Sequence, residues 1–284
     1  MNIGIIGYGF VGKALADGIK DNVTIIKIDP KLNTTTKDLM DFDPEIIFIC
    51  VPTPMNDDGT QDITILKNVI EEASMYCPDS IIVLKSTVLP SYIATLDNQI
   101  TSLVVNPEFL RENFASEDFI NSNLIIFGSK NISNSQQVSN FYKKYTKCIN
   151  KEYIFVDIIT ASLIKYTINS FLASKVIFFN EVKKIFDNSG TDDSWTDFIK
   201  ALSLDQRIGS SHMDVPGPDN RYGFGGACFP KDTNALYNYS CSIGAEFELL
   251  KKVILLNNNI RANYTKPTIR EIEQNIGFSK NLKE

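Results

Sequence analysis

The sequence has one histidine and no CxxC pair of cysteines, and these gaps exclude several kinds of site. His212 lies in a loop of turn-forming residues, so we expect a surface turn there rather than the histidine base of a lactate-type dehydrogenase. The five cysteines are odd in number, which indicates neither a disulfide framework nor a zinc site, and no metal is expected. They are Cys50, Cys77, Cys148, Cys228 and Cys241.

Basic runs and membrane-length apolar runs are also missing. The net charge is −6 with no run of Lys and Arg, so neither nucleic acid nor an anionic membrane is expected as the main partner. The apolar stretch Ile168–Phe179 is interrupted by polar residues and falls short of a membrane span. Residues 1–7 have no basic start and no small-residue cleavage site, which favours a first strand over a signal peptide. We therefore expect a cytoplasmic protein.

What is present is the composition of a soluble globular protein. The chain has 284 residues, of which 43% are hydrophobic and 22% charged. This length can bury a full core and accommodates about two domains.

The first residues predict a dinucleotide site. An apolar strand at residues 3–6 precedes a GxGxxG motif, and a helical pattern follows it. In such a motif the first glycine makes the turn, the second admits the pyrophosphate, and the third lets the helix pack on the strand. The second strand ends at Asp29, whose carboxylate favours NAD over NADP, although Lys27 and Lys31 lie close enough to weaken that preference. The motif residues expected to bind the cofactor are Gly7, Gly9, Phe10, Val11 and Gly12.

Short apolar strands and helices continue to alternate as far as Val105. This alternation predicts an α/β fold with a doubly wound, Rossmann-type parallel sheet, whose ligands lie beyond the carboxyl ends of the strands. Thr53, Thr87 and Glu108 each follow a strand, on the same rim as the glycine turn. A strand-terminal turn is an alternative for each residue alone, but together they favour contact with cofactor or substrate.

The second half contains one long helix, from about Thr160 to Asn188, that is apolar on most faces. We expect it to be buried, in part against another subunit, as the core of an all-α domain. Lys165 and Asn169 are four residues apart on one face of this helix. The lysine is either a rim residue with a polar neighbour or part of a site.

The stretch Gly223–Asp232 is the best candidate for chemistry. Its glycines let the backbone approach a ligand closely, and Pro230 suits the first turn of a helix. Cys228 then stands at a helix N-terminus beside Lys231, where the thiolate is favoured and can act as a nucleophile. A glycine-rich turn with a buried cysteine is the alternative.

In these segments the chain resembles the UDP-glucose/GDP-mannose dehydrogenase family. The resemblance covers the family's NAD domain, placed at residues 1–156, and its central helical domain at 157–260, and leaves a C-terminal tail at 261–284. The matching segments, in order, are Gly7–Gly12, Cys50–Pro54, Ser86–Val88, Asn106–Glu112, Lys165–Ala173, Asp205–Gly209 and Gly225–Asp232.

The resemblance implies oxidation of the C6 alcohol of a nucleotide sugar, with UDP-glucose the first choice, to a carboxylate with two NAD. It implies that Cys228 forms a thiohemiacetal and then a thioester, with Lys165 and Asn169 holding the oxyanion. Asp232 with a water would be the base, and Glu108 would assist hydrolysis, with Glu112 and Thr87 in supporting roles.

The same resemblance implies the substrate contacts and the assembly. Main chain near Phe109 and Leu110, with the loop around Gly225, would line the sugar pocket, and the neighbouring Arg111 would contact substrate. Arg207 resembles an arginine that reaches the substrate of the neighbouring subunit, which fits a homodimer built on the long helix.

Several departures from the family pattern stand out. Asn113, Ser162 and Ala227 replace a usual glycine, glutamate and serine, and the short spacing from Asp29 to Cys50 predicts that one strand-helix unit is trimmed. The family also continues into a third, nucleotide-binding α/β domain, which we expect this chain to lack.

Two other functions fit parts of the pattern. A two-domain 3-hydroxyacid dehydrogenase also has a lysine and an asparagine four residues apart after a dinucleotide domain, but it gives the Gly223–Asp232 stretch no purpose. A non-catalytic NAD-binding remnant of the family is the other alternative.

Overall fold

The computed structural model describes residues 1–100 and 102–278. The chain divides into two compact units. The first contains Met1–Thr53 and Asp62–Lys165, and the second contains Pro54–Gln61 and the chain from Tyr166 onward.

The first unit is built on a seven-stranded sheet with strand order β2-β1-β3-β4-β5-β6-β7. Strands β1 to β5 are parallel, which confirms the predicted doubly wound α/β fold, whereas β6 runs antiparallel to β5. The final strand, β7, is parallel to β6. The strands are β1 (Asn2–Ile6), β2 (Thr24–Ile28), β3 (Ile46–Ile49), β4 (Ile81–Leu84), β5 (Leu103–Val105), β6 (Ile126–Gly128) and β7 (Ile154–Val156).

Helices cover both faces of this sheet because successive strand residues point to opposite sides. In β3, Ile47 and Ile49 belong to one buried cluster, while Ile46 and Phe48 belong to the other. The helices of this unit are α1 (Phe10–Gly18), α2 (Leu39–Phe42), α3 (Thr64–Tyr76), α4 (Pro90–Asp97), α5 (Ala115–Ile120) and α6 (Ile132–Tyr145). Short 3-10 helices lie at Pro30–Leu32, Thr36–Asp38 and Glu112–Phe114.

The sheet ends at β2, and only short helical turns connect β2 to β3. This agrees with the trimmed unit that the spacing from Asp29 to Cys50 predicts. Because β1 to β5 run the same way, the residues that follow them lie along one rim of the sheet.

The second unit is helical. Its main part begins within a long helix whose first residues belong to the first unit. Ile158 and Ala161, at the start of that helix, are buried in the core of the first unit. The division falls after Lys165, within this helix. The helices are α7 (Ile158–Asn188), α8 (Trp195–Ser203), α9 (Phe229–Ser242), α10 (Glu248–Arg261) and α11 (Ile269–Glu273).

One face of α7 is exposed in the single chain. Phe171, Phe178 and Ile185 are 66%, 61% and 70% exposed and recur every seven residues, so they line one side of the helix. Within this chain only the opposite faces of the helix are covered, where Ala173 and Ile177 pack. None of the described helices is long and apolar enough to cross a membrane.

Residues 261–278 differ from a polar tail, since they include α11 and buried charged side chains. Arg261 and Glu271 are both almost fully buried. Met55 donates its backbone N–H to the carbonyl of Gln274 over 3.1 Å, which ties the segment Pro54–Gln61 to this part of the chain. The end of the predicted tail, residues 279–284, lies outside the described residues.

Candidate active site

The glycine turn has the shape that a dinucleotide site requires. Gly7 has a φ of +88°, which disfavours any side chain, and its N–H donates to the carbonyl of Ile28 over 2.8 Å. A Cβ on Gly12 would lie 2.1 Å from the oxygen of Gly7, so only glycine lets α1 approach β1 this closely.

The start of α1 also fits a pyrophosphate. Gly9 is the N-cap residue of α1, and it provides no side-chain hydrogen bond to the N–H groups of the first turn, where Phe10 and Val11 lie. Apart from Gly9 itself and its neighbours in the chain, no heavy atom of the described residues comes within 4 Å of the position that a Cβ on Gly9 would take. Helix N-termini with open space of this kind bind phosphate through N–H groups and the helix dipole.

Asp29 is held in place beside this turn. Its Oδ2 accepts the N–H of Tyr8 over 2.7 Å, and its Oδ1 accepts the N–H of Lys31 over 2.8 Å. Each carboxylate oxygen keeps a further lone pair, so ribose hydroxyls can still donate to it. Lys27 places its ammonium 4.7 Å from the ring centroid of Tyr8.

Two of the predicted cofactor residues meet on the rim of the sheet. Thr53 is buried, and its Oγ1 donates to the carbonyl of Thr87 over 3.0 Å. The ends of β3 and β4 are therefore joined by a side-chain hydrogen bond next to the glycine turn.

A buried ion pair lies at the ends of β4 and β5, and it involves a residue that the sequence reasoning missed. The Nζ of Lys85 is 2.8 Å from Oε2 of Glu108, and the two side chains are only 2% and 12% exposed. Lys85 also donates to Oδ1 of Asn106 over 2.9 Å and to the hydroxyl of Tyr142 over 3.2 Å. The Tyr142 hydroxyl in turn donates to Oδ1 of Asn106 over 2.6 Å.

The charge of this pair is fixed by its surroundings. Burial lowers the pKa of Lys85, but the Glu108 carboxylate together with Tyr142 and Cys50 outweighs burial, so the pKa of Lys85 is raised above its ordinary value. Burial raises the pKa of the Cys50 thiol to about 12, which keeps that cysteine protonated and unreactive.

Lys165 is a buried cation that faces main chain. Its Nζ donates to the carbonyl of Glu108 over 2.5 Å and lies 5.2 Å from the ring centroid of Phe109. Within residues 1–100 and 102–278 it forms no ion pair with a carboxylate. A buried ammonium of this kind is suited to stabilising a negative charge that arises on a ligand. Phe109 and Leu110, which follow Glu108 in the chain, are partly buried.

In the second unit, Asp232 is held between two donors. Its side chain is 1% exposed, and Oδ2 accepts Nδ2 of Asn169 over 2.6 Å. Its Oδ1 pairs with Nζ of Lys231 at 2.5 Å. The ammonium of Lys231 thus neutralises Asp232, whereas the sequence suggested Lys231 as a neighbour for the thiol of Cys228.

Cys228 is exposed and stands at the N-cap of α9, with Pro230 in the first turn as predicted. Asp232 lies one turn later, and its backbone N–H donates to the carbonyl of Cys228 over 2.8 Å. The structure therefore favours a thiol at a helix N-terminus over the alternative of a buried cysteine.

Side chains of α10 and α11 clamp the glycine loop before Cys228, residues 223–226, by hydrogen bonds. Asn257 accepts the N–H of Phe224 over 2.7 Å and donates to its carbonyl over 3.0 Å. Arg261 donates to the carbonyl of Gly223 over 2.9 Å, and Glu271 accepts the N–H of Gly226 over 3.2 Å. A Cβ on Gly225 would lie 2.5 Å from Oε1 of Glu271. Glycine is therefore required where these buried charged groups approach the loop.

Three predicted residues lie on the surface instead. Arg111 pairs with Asp118 at 2.6 Å, and Arg207, which is 90% exposed, pairs with Asp205 at 2.6 Å. Glu112 begins an exposed 3-10 turn. Within the described residues, the guanidinium groups of Arg111 and Arg207 thus pair with carboxylates at the surface.

The residues that sequence reasoning missed differ in how they could have been found. Lys85 directly follows the apolar run Ile81–Leu84, and a charge at the end of a buried strand is a usable signal. Arg261 and Glu271 gave no local signal, because their partners in the loop lie 38 and 45 residues away in the chain.

Two family models match the chain. The model of the UDP-glucose/GDP-mannose dehydrogenase family, NAD binding domain, matches residues 17–146, and the model of the central domain of the same family matches residues 159–259.

Individual relatives agree with this match. The chain is 37% identical over 228 residues to the UDP-glucose 6-dehydrogenase of Rickettsia felis, a match that covers 77% of this chain and 49% of that protein. It is 33% identical to the enzyme of the same name from Rickettsia conorii, covering 93% of this chain and 68% of that one. The chain thus spans about half to two thirds of the length of these curated relatives.

The fold has a solved counterpart in a UDP-glucose dehydrogenase from the hyperthermophilic archaeon Pyrobaculum islandicum. The TM-score is 0.76 at 25% sequence identity, with 91% of this chain and 68% of that chain covered. Together with the glycine turn and Asp29, these matches show that the chain is an NAD-binding member of the UDP-glucose/GDP-mannose dehydrogenase family.

Proposed function

We propose that the protein is an NAD-dependent nucleotide-sugar 6-dehydrogenase that oxidises UDP-glucose to UDP-glucuronate. The observation that carries this proposal is the position of Cys228 at the N-cap of α9, one turn before the buried carboxylate of Asp232. A nucleophile and a proton acceptor on the same helical turn are what oxidation of an alcohol to an acid through an acyl-enzyme requires. Overall, one alcohol, two NAD⁺ and one water give a carboxylate, two NADH and three protons.

In the first oxidation, Asp232 accepts the proton of the C6 hydroxyl through a water. NAD, bound at the glycine turn, supplies the acceptor for the hydride in each of the two oxidations. Lys165 and Asn169 donate to the sugar oxygen as negative charge develops on it, and the absence of an ion-pair partner for Lys165 in the described chain supports this role.

The covalent stage belongs to Cys228. Its sulfur forms a bond to the aldehyde carbon, and the resulting oxyanion takes up a proton to give a thiohemiacetal. Oxidation of that adduct leaves a thioester, which water hydrolyses with Glu108 as the proton acceptor. Glu112 and Thr87 are proposed to support these groups.

UDP-glucose is proposed as the substrate because the relatives described above are named for it. The main chain at Phe109 and Leu110 and the loop at Gly225 would line the sugar pocket. Arg111 and Arg207 are proposed to contact the outer parts of the substrate, since both are exposed cations.

A homodimer is proposed from the exposed face of α7. Phe171, Phe178 and Ile185 recur at the heptad spacing of helices that pack against a partner helix. We further propose that the enzyme works in the cytoplasm, where Cys228 stays reduced.

A substrate panel tests the proposed function. The protein is incubated with NAD and with UDP-glucose, GDP-mannose, other UDP-sugars or 3-hydroxyisobutyrate, and NADH is followed by its absorbance. NADH from a nucleotide sugar is expected. Turnover of the small hydroxy acid alone would instead show a hydroxyacid dehydrogenase, and NAD binding without any turnover would show a non-catalytic protein.

A further inference from the structure

We propose that Lys85 is a positioning residue for the last step of the reaction: it holds the Glu108 carboxylate charged and oriented to accept a proton from the water that hydrolyses the thioester. This inference rests on the proposed function. It adds to that function a residue that does not itself touch the reacting atoms.

The geometry fixes Glu108 through Lys85. The two residues follow the neighbouring parallel strands β4 and β5, and their charged atoms are 2.8 Å apart. The remaining donors of the ammonium are directed to Asn106 and Tyr142. Asn106 is itself anchored, since its Nδ2 donates to the carbonyl of Ile126 over 2.8 Å. The lysine therefore has no freedom to leave the carboxylate.

The second oxygen of Glu108 stays usable. Oε1 accepts the N–H of Phe109 over 3.1 Å, and a carboxylate oxygen can accept a further hydrogen bond. The ion pair thus occupies Oε2 and leaves a lone pair on Oε1 for a water.

The pair is hardly screened by solvent. The cavity beside it has a volume of about 10 Å³, which is close to the minimum for one water. In such surroundings a charge 2.8 Å away has a large effect on the neighbouring carboxylate. Lys85 therefore supplies the counter-charge that this buried carboxylate needs.

Other groups near Glu108 do not supply the same charge. The thiol of Cys50 is protonated because burial raises its pKa to about 12, and burial also raises the pKa of Cys148 and of the Tyr142 hydroxyl. Lys165 bonds to the main-chain carbonyl of Glu108 and not to its carboxylate. Lys85 is therefore the cation that the carboxylate contacts.

In the step itself, the water oxygen forms a bond to the acyl carbon and Glu108 accepts a proton from the water. The carbon–sulfur bond then breaks, and Cys228 leaves as a thiolate with the electron pair. The products are the sugar carboxylic acid, which ionises, and the free enzyme, and the step involves no oxidant.

The test compares Lys85→Met with the parent enzyme, using UDP-glucose and NAD. We expect a burst of NADH followed by slow turnover, with acid release reduced by about 10²-fold, in the range of a lost general base. Intact-mass spectrometry should show the uronyl group accumulating on the protein.

Two further variants make the test specific. Lys67→Met removes an exposed lysine of α3 that pairs with Glu71, and it should behave as the parent does. The isosteric Lys85→Met/Glu108→Gln variant carries no unpaired buried charge and should fold even if Lys85→Met does not. Its acid release should equal that of Glu108→Gln alone, since Lys85 acts only through the carboxylate.

The outcomes separate the two proposals. If the parent turns over but Lys85→Met hydrolyses the acyl-enzyme at the parental rate, the role of Lys85 is wrong and the proposed function stands. The same conclusion follows if Lys85→Met slows hydrolysis by the same factor in the Glu108→Gln background as in the parent. Absence of NADH from the parent with every nucleotide sugar overturns the proposed function and this role together.

Discussion

Asn169 donates a 2.6 Å hydrogen bond from its Nδ2 to Oδ2 of Asp232, although the two residues are 63 positions apart in the chain. The other oxygen of Asp232 pairs with the buried ammonium of Lys231. Asn169, which is proposed to hold the oxyanion, is thus hydrogen-bonded to Asp232, which is proposed as the base. Proton transfer at Asp232 and charge stabilisation at Asn169 are therefore expected to depend on each other.

Asp232→Asn should destabilise the fold as well as abolish activity. It leaves the ammonium of Lys231, which is 8% exposed, without a counter-charge. Breaking a buried pair from one side costs about 3–5 kcal/mol. Urea unfolding measures this loss, and Lys231→Met/Asp232→Asn should recover most of it. Equal stability of Asp232→Asn and the parent would show that the pair is not buried in solution.

Two glycines of the turn should respond differently to alanine. At Gly9 the added methyl group has open space, so Gly9→Ala should fold normally and bind NAD at least about tenfold more weakly, because the methyl group occupies the phosphate position. At Gly12 it would lie 2.1 Å from the oxygen of Gly7, so Gly12→Ala should lower the free energy of unfolding by about 1–3 kcal/mol. Calorimetric titration with NAD and thermal unfolding separate the two effects. Unchanged NAD affinity in Gly9→Ala would place the phosphates elsewhere.

Strands β1 to β5 could be predicted from the sequence because each is a short apolar run followed closely by polar, glycine or proline residues. The sequence reasoning did not find β6 and β7, which lie beyond Val105. The same reasoning located the long helix and the helix after Cys228. It could not assign the exposed side of α7, because periodicity shows which faces are apolar and not which of them the chain covers. The clamp on the Gly223–Gly226 loop depends on Arg261 and Glu271, whose contacts arise only from the tertiary fold.

Cysteine reactivity should follow burial. Iodoacetamide at pH 8 should modify the exposed residues Cys228 and Cys241, and peptide mapping should find the buried Cys77 and Cys148 and the half-buried Cys50 unmodified. Cys50 should stay protected even at pH 9, since burial raises its pKa to about 12. Of the matched variants Cys228→Ser and Cys241→Ser, only the first should lose activity. Rapid modification of Cys50 in the folded protein would show that its thiol, which directly follows β3, is not protected by burial.

The exposed face of α7 should control assembly. Phe178→Asp introduces a charge in the middle of the apolar stripe and should convert the proposed dimer to monomer without loss of helical content. Met75→Asp on α3 is the control, because Met75 is equally exposed, at 65%, but belongs to the first unit. Light scattering after gel filtration gives the mass of each variant. A monomeric parent, or a dimer that survives Phe178→Asp, would reject this interface.

The most direct test of the central claim is the ratio of NADH to sugar acid when UDP-glucose is consumed completely. Oxidation through the thioester of Cys228 predicts two NADH for each UDP-glucuronate, no released aldehyde, and no acid from Cys228→Ser. One NADH for each UDP-glucose, or acid formation that persists in Cys228→Ser, would contradict it.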